Sequence, residues 1–366
     1  MDFAFTEEQQ MLREQARSLL GAEVGPERVA ELAQSDAGWD SSGWSKMAEL
    51  GWTGLSVPEE AGGAGMGFLE ESVLFEELGY ALYPGPYLST IGLALPALTG
   101  APEVLGKVAA GDLRATLAFA EPEGPSVFAD SGRLTTEARS GEGGWTVSGT
   151  KHLVPDGAIC DLFVVAARAG DDVGLWAVAR DDAEVHALET MDTTRRFARV
   201  HLQDAPATEL IEPGEGSATL LAIRRRTFAA LALEAVGVAQ RVLELAQEYT
   251  KERKQFDKPI GTYQAVSHQV ADIYMSTELA RSLAYWAAWC VATDDDQADG
   301  AAAAAKAFAS ESAVLSCERS IQVHGGIGFT WEHILHRYYK RAQWIASFDG
   351  TPAFQRGVLA RAILDG

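Results

Sequence analysis

Cysteine is scarce in this sequence. Cys160, Cys290 and Cys317 are the only three in 366 residues, and no two stand at a metal-ligand spacing. That usage fits a reduced, cytoplasmic protein and offers no metal site. Positive charge is also in deficit: 30 Lys and Arg face 52 Asp and Glu, for a formal net charge of -22. Sequence-independent nucleic-acid binding needs clustered Lys and Arg, and an anionic membrane surface needs the same, so neither partner is expected. An anionic ligand would have to be met by local cations or backbone N–H groups. Long apolar runs are missing too, because charges or glycines interrupt each one before bilayer-spanning length. The opening Met1-Asp2-Phe3-Ala4-Phe5-Thr6-Glu7-Glu8 has neither the basic nor the apolar region of a signal peptide.

What is present is a folding composition, 47% hydrophobic and 22% charged. The length exceeds one ordinary core, so two or three subdomains are expected. Residues 1–113 read as helical. Thr6 and Gln9 have capping-box spacing ahead of apolar Met11, Leu12, Ala16, Leu19 and Leu20. Further helical segments are predicted at Trp44 to Leu50, Glu70 to Leu82, and near Leu93 to Leu98, with a glycine-rich loop around Val57 to Gly65. Residues 114–212 carry short strand signals separated by Gly, Asp and Pro, which predicts a compact β-unit. Residues 213–366 return to helix over Ser217 to Lys254, Gln264 to Val291 and Ala301 to Val323. The first of these would be on the order of 50 Å long and calls for a bundle. Leu283-Ala284-Tyr285-Trp286-Ala287-Ala288-Trp289 is apolar all round, which implies a bundle interior or a subunit interface.

Three motifs carry a resemblance. They are Val57-Pro58-Glu59-Glu60-Ala61-Gly62-Gly63, Glu252-Arg253-Lys254-Gln255-Phe256-Asp257-Lys258-Pro259-Ile260-Gly261 followed by Gln264, His268 and Ala271-Asp272, and Ile321-Gln322-Val323-His324-Gly325-Gly326-Ile327-Gly328-Phe329-Thr330. In this order, across nearly the whole chain, they resemble the signatures of the acyl-CoA dehydrogenase family. The resemblance implies a mostly α fold with a central β-domain: an N-terminal helical domain, a small β-barrel-like domain and a C-terminal four-helix bundle. It also implies an FAD cofactor and an acyl-CoA substrate. In that family, residues at the second and third motifs reach over the flavin of a neighbouring subunit. Arg253 would then grip a phosphate with forked, charge-assisted bonds, Phe256 would wall the cofactor, and Gln264 and Gln322 would hydrogen-bond. Without the surrounding motif, Arg253 would read as a solvated helix-end charge. Gly325 and Gly326 are either a left-handed helix stop or a backbone nest for phosphate. His324 reads as packed. His333 and His336, three apart on one helical face, lack the further ligands a metal needs.

The sequence departs from the family where the flavin ring should lie. The Thr-Glu-Pro-x-Ala-Gly-Ser-Asp segment appears as Ala120-Glu121-Pro122-Glu123-Gly124-Pro125-Ser126-Val127, keeping Ser126 as the implied cofactor contact. In Lys151-His152-Leu153-Val154-Pro155-Asp156-Gly157, Leu153 replaces a tryptophan and Pro155 a hydroxyl-bearing threonine. Proline offers neither hydroxyl nor backbone donor. The family's commonest base is a glutamate before Gly-Thr. Here the run is Phe348-Asp349-Gly350-Thr351, so Asp349 is the candidate base and Thr351 a carried-over cofactor contact. An Asp-Gly turn is the alternative for Asp349. Another branch of the family takes its base from the long helix, where this chain has Arg226, Thr227 and Phe228. Glu234 is the nearby carboxylate, either a lesser catalytic candidate or a buried partner of Arg224 to Arg226.

The residues that would serve a neighbour's cofactor are therefore kept, and those that would build this chain's own flavin pocket are eroded. Two functions follow. One is FAD-dependent α,β-dehydrogenation of an acyl-CoA thioester, within a homo- or hetero-tetramer and with an electron-transfer flavoprotein or similar acceptor. The other is a non-catalytic subunit that clamps a partner's FAD and completes an α2β2 enzyme. Family pairs of unlike subunits are associated with bulky lipid or sterol side-chain substrates.

Overall fold

A computed structural model describes residues 5–124 and 127–365, with the backbone alone at 362 and 365. The helices α1 (Glu7–Glu23), α2 (Pro26–Gln34), α3 (Ser41–Glu49), α4 (Phe68–Ala81) and α5 (Pro102–Ala109) come first. Strands β1 (Ala115–Ala118), β2 (Glu137–Gly141), β3 (Gly144–Pro155), β4 (Leu162–Ala169), β5 (Asp172–Ala179), β6 (Glu184–Leu188) and β7 (Phe197–Ile211) follow. Then come α6 (Gly216–Glu252), the hairpin strands β8 (Lys254–Gln255) and β9 (Lys258–Pro259), and α7 (Gln264–Ala292). The chain ends in α8 (Ala298–His324), α9 (Leu335–Ser347) and α10 (Pro352–Asp365). Helix, β-barrel and helix succeed one another as expected. The helix expected near Leu93 is instead a π-helix over Leu88–Ala94 running into a 3-10 turn at Leu95–Ala97. Pro96 lacks the N–H and crowds the preceding turn, so an α-helix cannot continue there. Residues group into two compact units, both discontinuous in sequence: 1–31, 68–83 and 228–366 in one, 32–67 and 84–227 in the other.

The strand-bearing unit is built on a ring. β4 pairs with β2, β2 with β3, β3 with β7, β7 with β5, and β5 returns to β4, so the sheet closes and few edges remain. Alternate residues point inward: Phe163, Val165 and Ala167 from β4 meet Trp176 and Val178 from β5 and Val200 and Leu202 from β7. A buried ion pair crosses this unit. Lys151 Nζ donates to Glu121 Oε1 at 2.7 Å and to the Phe119 carbonyl at 3.1 Å. Glu121 also accepts from the backbone N–H and hydroxyl of both Thr135 and Thr136. Burial pushes the Glu121 pKa up, but the Lys151 charge and these hydrogen bonds outweigh it and hold the carboxyl at about 2. At Lys151 the balance is reversed: burial wins over the carboxylate and lowers the ammonium to about 8.

The helical unit depends on a close crossing of α4 and α6. A Cβ on Gly79 would overlap the Glu234 carbonyl, and one on Gly237 would overlap that of Glu76. This contact buries three acids of α4, Glu71, Glu76 and Glu77. Arg281 and the Tyr285 hydroxyl donate to Glu76, while Arg13 and Arg17 pair with Glu77. Burial pushes the Tyr285 hydroxyl well up and brings Arg281 down to about 10. Glu234 is paired as expected, but the arginine across from it is Arg341 on α9, at 2.5 Å. Leu283 to Trp289 are buried only in part within this chain, short of a bundle interior. The alanines there are buried, whereas Leu283, Trp286 and Trp289 are half-buried, because α4 and α8 cover only part of α7. Earlier in α7, Tyr274, Met275 and Leu279 are exposed. Among the described residues no helix is long and apolar enough to cross a membrane.

Gly237→Ala should force the backbones apart and cost about 1–3 kcal/mol in chemical denaturation. Gly21→Ala, where a Cβ meets nothing within 4 Å, should be neutral or stabilise by about 0.5–1 kcal/mol. Equal effects at the two sites would contradict the crossing. Glu121 makes a second expectation. Its folded pKa lies below the ordinary 4.5, so its stabilisation is complete above about 4.5 and is lost as pH falls towards 2. Glu121→Gln should remove this acid-side loss. At pH 7 it should leave Lys151 buried without its carboxylate, at a cost of about 3–5 kcal/mol. Denaturation midpoints compared at neutral and acid pH check both signs.

Candidate cofactor clamp and acid-bearing turn

The hairpin after α6 is shaped by two residues with positive φ, Phe256 at 50° and Asp257 at 65°. Gln255 pairs with Lys258, which leaves Phe256 and Asp257 as a two-residue loop of the primed turn class. Such loops favour Asn-Gly; a phenylalanine with φ above zero is strained, and here it is 87% exposed as well. The Phe256 ring meets Tyr263 edge-on and otherwise faces solvent, which makes the tip a candidate contact surface. Arg253 opens the hairpin with its side chain exposed and its carbonyl bonded by the Ile260 N–H at 2.8 Å. Gln264, also exposed, starts α7 just beyond.

At the same end of this unit, where His324 stacks on Tyr249 of α6, α8 stops at Gly325. Its φ of 66° and ψ of -138° lie outside the left-handed helical region, in space open in practice to glycine alone. Its N–H is taken by the carbonyls of Ile321 and Gln322. Gly325 therefore supplies the bend, and a nest would have to draw its donors from further along. Behind the bend is a cavity of about 640 Å³ lined by Gln322, Gly325, Gly326, His336, Tyr339 and Lys340, among others. The structure thus brings three expected residues together and adds His336, weighed in the sequence only as a metal ligand, and Tyr339 and Lys340, which sequence reasoning missed. Spacing of three and four residues on α9 was the available signal, but nothing in the sequence aims that face at Gln322. His336 Nε2 is buried without a hydrogen-bond partner, and burial, followed by the Arg337 and Lys340 charges, lowers its pKa. An orphaned nitrogen, a glycine-only bend and a concave wall fit the polar end of a dinucleotide. His324 is packed as expected, bonded to the Ser320 carbonyl at 2.7 Å and stacked on Tyr249. His333 and His336 do not share a helical face, because α9 starts only at Leu335 and the His333 ring accepts from the Leu335 N–H instead.

Asp349 lies in the turn between α9 and α10. It is 6% exposed with φ of 48°, and Gly350 follows at φ 99°. A Cβ on Gly350 would crowd the Phe354 ring and the Gln355 amide, and its φ is one that glycine favours. The Thr351 hydroxyl accepts from the Phe354 N–H at 3.3 Å, a capping role at the start of α10. Glu234 lies in the interior, in its pair with Arg341. In the strand-bearing unit, Ser126 falls outside the described residues. Leu153 there has φ of 52° and is 49% exposed, and Pro155 binds through its carbonyl, which accepts from Thr116 at 2.6 Å. An apolar, backbone-strained Leu153 beside a proline does not reproduce an aromatic wall and a hydroxyl donor. Among the described residues no group of three or more His, Cys, Asp or Glu could hold a metal.

Residues 6–102 match the acyl-CoA dehydrogenase N-terminal domain and residues 220–364 the acyl-CoA dehydrogenase C-terminal domain. Acyl-CoA dehydrogenase IpdE2 of Mycobacterium tuberculosis is 37% identical over 356 residues, which is 97% of this chain and 96% of that protein. Among solved structures, a variant of the Tcur3481-Tcur3483 steroid ACAD is 31% identical with a TM-score of 0.87, covering 98% of each chain. The ChsE4-ChsE5 complex from Mycobacterium tuberculosis is 28% identical with a TM-score of 0.89, covering 100% of each chain. The motifs, the order of helix, barrel and helix, and these matches agree: the chain belongs to the acyl-CoA dehydrogenase family of oxidoreductases.

Proposed function

We propose that this chain serves FAD-dependent α,β-dehydrogenation of an acyl-CoA thioester as one of two unlike chains in a hetero-oligomer, with Asp349 as the base. The observation that carries the reading is the Asp349 turn. A buried carboxylate is held there in a left-handed conformation that costs about 1–3 kcal/mol and persists only where the surroundings over-determine it. A carboxylate so held can take the α-proton of a thioester and become the neutral acid. FAD, when bound, supplies the acceptor for the hydride that leaves the β-carbon. Arg253 and the Gln322, Gly325 and Gly326 corner would hold its phosphates and adenosine. Phe256 and Gln264 would flank it, with Ser126 and Thr351 as lesser contacts.

The need for an unlike partner rests on the imbalance between the two ends. The elements that would reach another chain's cofactor are intact and exposed, while Leu153 and Pro155 stand where a flavin ring needs a wall and a donor. Exposed Tyr274, Met275 and Leu279 on α7 and Leu315 on α8 support association over a folded monomer. The same imbalance favours a second reading, in which this chain only clamps the partner's FAD and the essential carboxylate is on the other chain. The hetero-oligomeric and steroid relatives support a bulky polycyclic acyl group. An electron-transfer flavoprotein or similar acceptor would reoxidise the flavin.

Two substitutions in the assembled oligomer test the assignment. Arg253→Ala should lower retained flavin without unfolding the chain, because a charge-assisted bond contributes roughly 1.5–3 kcal/mol. Unchanged flavin content would reject Arg253 as a phosphate contact. Asp349→Asn should abolish exchange of the substrate α-proton while leaving flavin and acyl-CoA binding intact. Full turnover by this variant would instead establish the clamp-only reading.

A further inference from the structure

We infer that Lys306 and Gln355 are positioning residues for the acid at 349: two buried donors that fix, through three backbone carbonyls, the turn that aims the carboxylate. The inference rests on the reading of Asp349 as base. Aspartate has only two side-chain torsions, so the backbone at 349 decides where its oxygens fall. No ladder of helix or sheet hydrogen bonds holds that backbone, because it lies between α9 and α10. Side chains do the holding. Lys306 Nζ, from the middle of α8, donates to the Ala346 carbonyl at 3.1 Å and the Gly350 carbonyl at 2.5 Å. Gln355 Nε2, from the first turns of α10, donates to the Asp349 carbonyl at 2.6 Å. Lys306 and Gln355 are both 0% exposed.

A plainer role explains part of this. The Ala346 carbonyl belongs to the last turn of α9, where any cation favours the helix C-terminus. It does not explain the rest. The Asp349 and Gly350 carbonyls lie beyond the helix, in the two successive peptide units that follow the acid's Cα. Burying an ammonium costs several kcal/mol, and a methionine would fill the space without that cost. What the lysine adds is a fixed geometry around 349. A carboxylate one methylene shorter than glutamate has little reach, so its aim depends on that geometry.

Lys306→Met and Gln355→Leu are made in the assembled, flavin-loaded oligomer, with Asp349→Asn measured alongside. The readouts are α-proton exchange of an acyl-CoA thioester in deuterated buffer, KM for that thioester, and bound flavin. Each variant should slow exchange and kcat by about a hundredfold, the cost of misplacing a reacting group by near 1 Å, while KM and flavin content hold. Exchange at the wild-type rate overturns the inference. So does a parallel fall in flavin content, KM and rate, which is what a general loss of packing gives. If Lys306→Met gives no soluble oligomer, the same readouts on Gln355→Leu decide. Wild-type exchange by Asp349→Asn would remove the base assignment itself and the inference with it, whatever the other two variants do.

Discussion

The backbone contact between α4 and α6 is the constraint on which the helical unit depends. Gly79 and Gly237 let the two helices meet with no side chain between them. That closeness carries Glu76 and Glu77 into the interior, where a bare carboxylate would be intolerable. Partners must then come from elsewhere, and they do: Arg13 and Arg17 from α1, Arg281 and Tyr285 from α7. Two small residues thus determine where four polar side chains on two other helices have to be.

Buried charge is the recurring device. Glu121 with Lys151 and Glu234 with Arg341 repeat the pattern on β-strands and on helices. Such pairs add little net stability over apolar replacements, but they allow few alternative arrangements. The candidate site also relies on buried polar groups: Lys306 and Gln355 donate to backbone carbonyls of the turn that carries its acid.

Much of the fold was legible because it is periodic. The 3.6-residue pattern located α1, α4 and the three long helices within a few residues, and the Thr6–Gln9 box began α1 as its spacing predicted. The short strands between Gly, Asp and Pro clusters gave the barrel. Contacts between distant residues were not legible. Nothing local distinguishes Lys306 from any lysine in an alanine-rich helix, or Gln355 from a surface glutamine. His336, Tyr339 and Lys340 needed the bend at Gly325 to face a cavity. Arg341 was missed as the partner of Glu234 because three arginines stood nearer in sequence. The positive φ at Leu153 and Phe256 was invisible, since neither residue type advertises it.

The interleaving of the two units has a consequence for how the chain is made. The strand-bearing unit is complete once residue 227 has been synthesised, whereas α1 and α4 belong to a unit that ends at residue 366. At ordinary translation rates these first helices wait on the order of tens of seconds for α6 and α7. Within that interval Arg13 and Arg17 can already neutralise Glu77, because α1 and α4 pair early. Glu76 has Arg13 of α1 at 3.6 Å, and its closer partners Arg281 and Tyr285 come only with α7. Both acids thus have a cation within the first 81 residues, and the C-terminal helices complete the hydrogen bonds of Glu76.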